Sequence, residues 1–207
     1  KFIENPFATA YLNTETTRAL LALARQSRGV FVFFGSAEVY GDVPKGIKAV
    51  PESFPGSYST LNVRSIYGES KRLGESICFF FRKRYAVKAK IMRISHLYGP
   101  GISIHDTRVL ADFIRKALVD GRIRLLDRGQ AVKTFGYVAD AIRMIFHVAL
   151  QGRDVVYNVG GQDSISIREL ARLVGEYCDV PVTVPRSSSP LLYVGGDPQS
   201  VRSDLSK

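Results

Sequence analysis

Near the start of the chain Leu12, Thr16, Ala19, Leu20 and Leu23 recur at three-to-four spacing, which predicts a helix closed by Gly29. Val30-Phe31-Val32-Phe33-Phe34 follows as an unbroken apolar run, the pattern of a strand buried on both faces of a parallel sheet, and Gly35-Ser36 ends it. Residues 41–63 are rich in Gly, Pro and Ser and read as loop. A long helix is predicted from Arg64 to Tyr85, with Leu73, Ile77, Phe80 and Phe81 as its apolar stripe. Lys88 to Ile94 reads as a strand, closed by Tyr98-Gly99-Pro100-Gly101.

Asp106 is the expected N-cap of a helix carrying Val109, Leu110, Phe113, Ile114 and Leu118 and stopped at Gly121. Ile123 to Leu126 and Val155 to Val159 read as strands and Asp140 to Leu150 as a helix. Ser166-Ile167-Arg168-Glu169 is a capping box for a helix through Tyr177, and from Pro181 the chain reads as mostly irregular. Strands alternating with helices predict an α/β fold, a doubly wound parallel sheet. Beyond about Gly101 the elements are short and carry their own caps, which predicts a small separate lobe.

Composition narrows this little. The 207 residues are 45% hydrophobic and 23% charged, which excludes collagen-like and disordered classes. No apolar stretch has the length of a bilayer span, and no secretory signal pattern opens the chain. Cys78 and Cys178 are the only cysteines, so a disulfide framework is not expected and a cytoplasmic location is. The formal net charge of +10 is compatible with a phosphate-bearing ligand. No nucleic-acid motif accompanies it, and the one basic run, Arg82-Lys83-Arg84, lies at a helix end where cations suit the dipole. His105 and His147 have no partners at metal-ligand spacing, so no metal site is expected.

The candidate chemistry lies on the long helix. Tyr67 and Lys71 are four residues apart and share a face. A phenol is a poor base at neutral pH, and a nearby ammonium favours its phenolate. Such a tyrosine can take a proton from a bound hydroxyl. The pair alone is a frequent chance spacing. Ser36 and Glu38, at the carboxyl end of the buried strand where ligands bind in these folds, add a hydroxyl donor and a candidate general base.

Taken in order, Ser36-Ala-Glu-Val-Tyr-Gly41, Pro51-Glu52, Tyr67-Gly-Glu-Ser-Lys71, Arg93-Ile-Ser-His-Leu-Tyr-Gly-Pro-Gly101, Phe135-Gly-Tyr-Val-Ala-Asp140 and Tyr157-Asn-Val-Gly-Gly161 resemble the extended short-chain dehydrogenase/reductase family. Within it, the chain is most similar to the nucleotide-sugar epimerases, dehydratases and decarboxylases. Asp106 to Ile114 resembles the corresponding segment of UDP-glucuronate decarboxylases. The resemblance implies an NAD-dependent enzyme acting on a nucleotide-diphosphate sugar. Hydride transfer from sugar C4 would give a 4-keto intermediate, followed by decarboxylation, 4,6-dehydration or, for an epimerase, re-reduction.

By the same resemblance Tyr67 is the proton acceptor, Lys71 lowers its pKa and holds the nicotinamide ribose, and Ser36 shares the hydroxyl hydrogen bond. Asn13 and Ile94 would lie beside the cofactor. His96, as a hydrogen-bonding pocket residue, Val109, Lys133 and Arg202 would lie beside the substrate. Glu38 favours the decarboxylase and dehydratase branches over 4-epimerases, although Ala37 stands where one dehydratase group has an aspartate. The family's paired helices imply a homodimer through residues 10–24 and 64–85.

The resemblance also implies a division. Residues 1–101 would form the C-terminal half of the dinucleotide-binding domain and 102–207 mainly the substrate-binding lobe, with 130–160 able to return to the main sheet. The family opens on a strand and a Gly-x-x-Gly-x-x-Gly turn that holds the pyrophosphate, and these residues do not contain it. A Rossmann-like sheet lacking its first strands is therefore expected, with one edge open, both chain ends looking cut, and weak NAD binding and no activity by these 207 residues alone. Outside the class, the rival expectation is a noncatalytic phosphate- or nucleotide-binding relative, which would have no need for Ser36, Glu38, Tyr67 and Lys71 together.

Overall fold

The computed structural model describes residues 4–44, 47, 49–57, 59–62, 64–186 and 204–206. The first helix, α1 (Pro6–Tyr11), starts where Pro6 fits the first turn and the Asn5 side chain accepts from the Ala8 N–H. It runs through a π-helical turn, Leu12–Thr16, into α2 (Thr17–Ser27). The residue that closes α2 is Arg28, in the left-handed region at φ 54°, rather than Gly29. Gly29 instead donates its N–H back to the Ala24 carbonyl, satisfying an orphan acceptor of the last turn.

Strand β1 (Val30–Ser36) pairs in parallel with β2 (Lys88–Ile94), and β2 pairs in parallel with β6 (Val156–Val159). Between β1 and β2 the chain crosses over through α3 (Ser65–Tyr85). Alternation along the strands sends Phe33, Ala89 and Ile91 to one face, where Leu21 of α2 and Cys78 of α3 close a core. Met92 and Val159 face the other way and pack on Ala141 and Val148 of α5 (Val138–Gln151). Helices thus cover both faces, which makes the sheet doubly wound. Lys90 is 7% exposed because its ammonium donates to the Val148 and Ala149 carbonyls at the end of α5, at 2.6 and 2.9 Å. A cation there also suits the helix dipole.

β1 is not buried on both faces as its apolar run suggests: Val30 and Phe34 are about half exposed. Among the described residues β1 is the edge strand, with no neighbour on its second side.

The remaining elements build a second core. Helices α4 (Val109–Asp120) and α6 (Ile167–Tyr177) enclose Phe113, Ala117, Ile123, Leu125, Leu170, Ala171 and Val174. Beside them β4 (Ile123–Arg124) pairs with β8 (Val182–Thr183), a strand in a stretch whose sequence reads as irregular. Strand β5 (Val132–Tyr137) pairs in parallel with β3 (His96–Tyr98) and antiparallel with β7 (Ser164–Ser166). Asp106 does not cap α4. Arg108 occupies the cap position without a side-chain bond, and Asp106 accepts from the Arg108 N–H and guanidinium in the preceding loop. Gly121 ends α4 at φ 62°, and Ser166 caps α6 by accepting from the Glu169 N–H.

Candidate active site

Ser36 is the last residue of β1, and its Oγ accepts the Glu38 N–H at 3.2 Å, starting a 3-10 turn, Ala37–Tyr40. Gly41 closes that turn at φ 59°. The turn is pinned from below. The Tyr40 hydroxyl donates to Asn158 Oδ1 at 2.6 Å, and the Arg93 guanidinium lies 4.8 Å from the Tyr40 ring centroid. Asn158 in turn donates from Nδ2 to the Val50 and Asp204 carbonyls, and its backbone N–H reaches Glu52 Oε1. Asn158 thus ties the Tyr40 hydroxyl to the Val50, Glu52 and Asp204 segments.

Helix α3 brings the other half. Tyr67 lies in its first turns, with Ser36 beside it. Burial raises the Tyr67 pKa; the Ser36 hydrogen bond opposes this, the Glu38 charge adds to it and the Arg64 charge lowers it. Lys71, one turn on, donates from Nζ to the Phe34 carbonyl at 2.7 Å. Its ammonium lies 5.1 Å from the Phe33 ring centroid and 5.9 Å from that of Tyr67. Burial lowers the Lys71 pKa, and the Glu75 charge pulls it back up.

Glu38 meets a residue that sequence reasoning missed. Arg64, at the N-cap of α3, forms an ion pair from Nη2 to Glu38 Oε1, and both side chains are largely buried. Glu38 Oε2 is buried with no hydrogen-bond partner among the described residues. Arg64 stands three residues before Tyr67, so a shared helix face was the available signal.

Asn13 falls in the π-helical turn, buried against α3, and donates to Ser70 Oγ at 3.0 Å. Ser70 donates in turn to the Tyr67 carbonyl. Asn13 thus reaches the site through the backbone of α3. Ile94 is the strand neighbour of Ser36 in register. His96, two residues further, lies in register with Phe135, ring centroids 5.7 Å apart. His96 and Phe135 line a small, mostly apolar pocket with Val109, the first residue of α4. Lys133 is buried on the same strand as Phe135, opposite Ile165. Arg202 lies outside the described residues.

A larger cavity of about 450 Å³ opens on another flank of α3, lined by Glu52, Phe54, Arg72, Glu75 and Arg93, and contains neither Tyr67 nor Lys71. Among the described residues no group of three or more metal-ligating side chains converges, and no helix is long and apolar enough to cross a membrane.

A hydroxyl, a phenol and an ammonium in sequence, with an arginine-paired carboxylate beside them, can exchange a proton with a bound alcohol and stabilise the resulting charge. The same donors suit a ribose diol.

Comparison with known proteins identifies the family. UDP-glucuronic acid decarboxylase 3 of Arabidopsis thaliana is 29% identical over 204 residues, 98% of this chain and 58% of that relative. UDP-glucuronic acid decarboxylase 1 of Xenopus tropicalis is 30% identical over 175 residues, covering 84% of this chain and 41% of that protein. The chain thus spans about half the length of the curated relatives it matches. Among solved structures, UDP-glucose 4-epimerase of Thermotoga maritima, with UDP-glucose, superposes with a TM-score of 0.83 at 22% identity, over 99% of this chain and 64% of that one. A dTDP-glucose 4,6-dehydratase of Streptomyces venezuelae gives 0.80 at 22%, over 98% and 60%. These likenesses establish a Rossmann-like fold. The family model for the NAD dependent epimerase/dehydratase family matches residues 1–160, and the chain belongs to that family.

Proposed function

We propose that this chain carries the catalytic machinery of an NAD-dependent nucleotide-sugar enzyme that oxidises the sugar at C4 and then decarboxylates or dehydrates the 4-keto product. The observation that carries the reading is the convergence of Ser36, at the end of β1, on Tyr67, with Lys71 one turn away and the Glu38–Arg64 pair beside them. Bound NAD+ supplies the hydride acceptor. Tyr67 and Lys71 would hold its nicotinamide ribose, because a phenol and an ammonium on one helix face match a vicinal diol.

Tyr67 accepts the proton of the C4 hydroxyl, and Ser36, beside the phenol, orients that hydroxyl by hydrogen-bonding it. Burial alone favours the phenol form, so the base form depends on the cations that flank the ring, Arg64 and Lys71. The C4 ketone then accepts the electron pair left when a C5 carboxylate departs.

Decarboxylation is the branch we favour. An unpaired Glu38 would repel an anionic sugar; its pairing with Arg64 leaves the site without that repulsion. The curated relatives described above, both UDP-glucuronic acid decarboxylases by name, support the same branch. His96, Val109, Lys133 and Arg202 are proposed on the substrate side, with Asn13 and Ile94 on the cofactor side. Residues 1–101 are proposed as the cofactor half and 102–207 as mainly the substrate lobe.

A homodimer is proposed through residues 10–24 and 64–85, where Tyr11, Leu12, Leu20, Leu23, Leu73 and Phe80 are about half or more exposed. The free thiols of Cys78 and Cys178 support a reducing, cytoplasmic location.

Mass spectrometry of products from the full-length protein, given NAD+ and a panel of UDP-, dTDP- and GDP-sugars, tests the reading. Loss of CO2 is the expected result, loss of water is the dehydratase outcome, an unchanged mass with inverted C4 is the epimerase, and no turnover of any sugar overturns the proposal.

A further inference from the structure

The Tyr157-Asn-Val-Gly-Gly161 motif carries a side chain that no step of the proposed reaction uses. Asn158, on β6, is 7% exposed, and its amide oxygen and both amide hydrogens are taken. Oδ1 accepts from the Tyr40 hydroxyl at 2.6 Å, and Nδ2 donates to the Val50 and Asp204 carbonyls, each at 3.0 Å. Carbonyls only accept, so this amide can stand only one way round. Asp204 is braced in turn, its N–H donating to the same Val50 carbonyl at 2.9 Å. Register across the sheet puts Asn158 opposite Arg93, and Arg93 opposite Gly35, the residue before Ser36.

Tyr40 joins this row to the site. It is fully buried and ends the 3-10 turn that follows Ser36. Arg93, paired with Glu75 at 2.7 Å, lies against its ring. Ser36 Oγ accepts the Glu38 N–H inside that turn, so a turn that shifts carries the Ser36 hydroxyl with it.

We propose that Asn158 is a positioning residue for the reaction, which sets the placement of Ser36 through the Tyr40 hydroxyl; this rests on the reading of Ser36 as the hydroxyl that orients the substrate.

Other contacts grip the backbone of the turn. Arg72 Nη1 donates to the Val39 carbonyl at 2.9 Å, and the Ser57 N–H to the Tyr40 carbonyl at 3.1 Å. These hold it to α3 and to the loop that follows, whereas the Tyr40–Asn158 bond holds it to the far strand of the sheet. Loss of that bond alone leaves the turn formed and free to swing. A misplacement of about 1 Å at a positioning contact can lower a rate by about 10²-fold.

The test compares Tyr40→Phe, Ser36→Ala and Ser36→Ala/Tyr40→Phe in the full-length protein, with NAD+ and the sugar that it turns over. Tyr40→Phe removes only the hydroxyl that Asn158 binds. Its kcat is expected to fall by about 10-fold or more, and no further than in Ser36→Ala. The double variant should match Ser36→Ala, because no hydroxyl is left to misplace. A merely structural role would lower kcat by the same factor in both backgrounds; that result overturns the proposal, as does native kcat in folded Tyr40→Phe. If Tyr40→Phe does not fold, Asn158→Ser, too short to reach Tyr40, takes its place in the same cycle. A second measurement needs no substrate. Hydrogen exchange followed by mass spectrometry should quicken over residues 36–41 in Tyr40→Phe and stay native in α6. Unchanged exchange over residues 36–41 also overturns the proposal. The functional reading fails separately, through native turnover in Ser36→Ala and Tyr67→Phe or none on any sugar, and exchange then decides whether Asn158 places Ser36.

Discussion

Tyr67 of α3 and Ser36 at the end of β1 lie beside each other across 31 positions of sequence, and burial holds the phenol above its ordinary pKa. A buried phenol with a second hydroxyl at its side is poised to take a proton from an alcohol placed between them. Tyr67→Phe keeps the ring and its packing and removes only the oxygen. It is expected to lower kcat by roughly 10²–10⁴-fold, the usual worth of a general base, with the melting temperature little changed. Ser36→Ala removes one hydrogen bond to the developing charge, worth about 1.5–3 kcal/mol, so turnover should fall by roughly 10–150-fold. Steady-state kinetics on both variants checks this, and a Tyr67→Phe enzyme with native kcat would remove Tyr67 from the mechanism.

Alkaline stability is governed in part by a thiol far from the cleft. Cys78 is fully buried in the core between α2, α3 and the sheet, and burial, with a smaller contribution from the Glu75 charge, pushes it from 9.0 up to about 12. In the unfolded chain this thiol ionises near 9.0; in the folded chain it does not. The unfolded state therefore binds fewer protons between 9.0 and about 12, and stability falls with rising pH across that window, by up to about 1.4 kcal/mol per unit. Tyr40 and Tyr67, both raised by burial, act in the same direction above their ordinary value, and Lys71, lowered by burial, acts in the opposite direction. Cys78→Ala isolates the thiol. Its neutral-pH stability should drop by about 1–2 kcal/mol from the lost packing. Urea denaturation from about pH 8 to about pH 11 should then show a shallower decline than in the native chain. Parallel declines would contradict the assignment.

Gly74 sits where α3 crosses both β1 and the π-helical turn. A Cβ there would stand 2.5 Å from Phe33 Cζ and 2.6 Å from the Asn13 carbonyl oxygen. Two effects compete in Gly74→Ala. Helix propensity gains about 1 kcal/mol. Overpacking against a core ring and a backbone oxygen loses about 1–3 kcal/mol, and backbone gives way less readily than a side-chain tip. The variant is expected to be net destabilised, with Asn13 and Ser70 displaced from each other. Thermal unfolding at or above the native midpoint would show that α3 has slack at this crossing.

What the sequence disclosed and what it hid follow one division. The 3.6 period and the four-residue spacing of Tyr67 and Lys71 are local, so α3 and its reacting face were legible. So was the Ser166 cap on α6, where a hydroxyl and a backbone N–H lie three residues apart. Asp106 misled because its side chain serves a loop and the Arg108 guanidinium, a choice that composition does not encode. Strands β3, β5 and β7 lack clean alternation, and their register comes from pairing across long stretches of chain. Arg64 and Arg93 were missed as site residues for the same reason: their partners Glu38 and Glu75 lie 26 and 18 positions away.

The Glu38–Arg64 pair makes opposite demands on the phenol it adjoins. The Glu38 charge raises the Tyr67 pKa and the Arg64 charge lowers it. Glu38→Gln removes the charge that raises the pKa and keeps the one that lowers it, so the Tyr67 titration should move to lower pH. Arg64→Gln removes the charge that lowers it and keeps the one that raises it, so the titration should move to higher pH. Because Tyr67 must lose its proton to act as a base, the rising limb of kcat/KM against pH should follow these shifts. Either substitution also breaks a largely buried ion pair, which destabilises by about 3–5 kcal/mol in comparable sites, so folding is verified first by circular dichroism. Tyrosine ionisation followed by ultraviolet difference absorbance, with Tyr67→Phe as the blank, reads the shift directly. Displacement of the two variants in the same direction would mean that the pair acts on Tyr67 through structure rather than through charge.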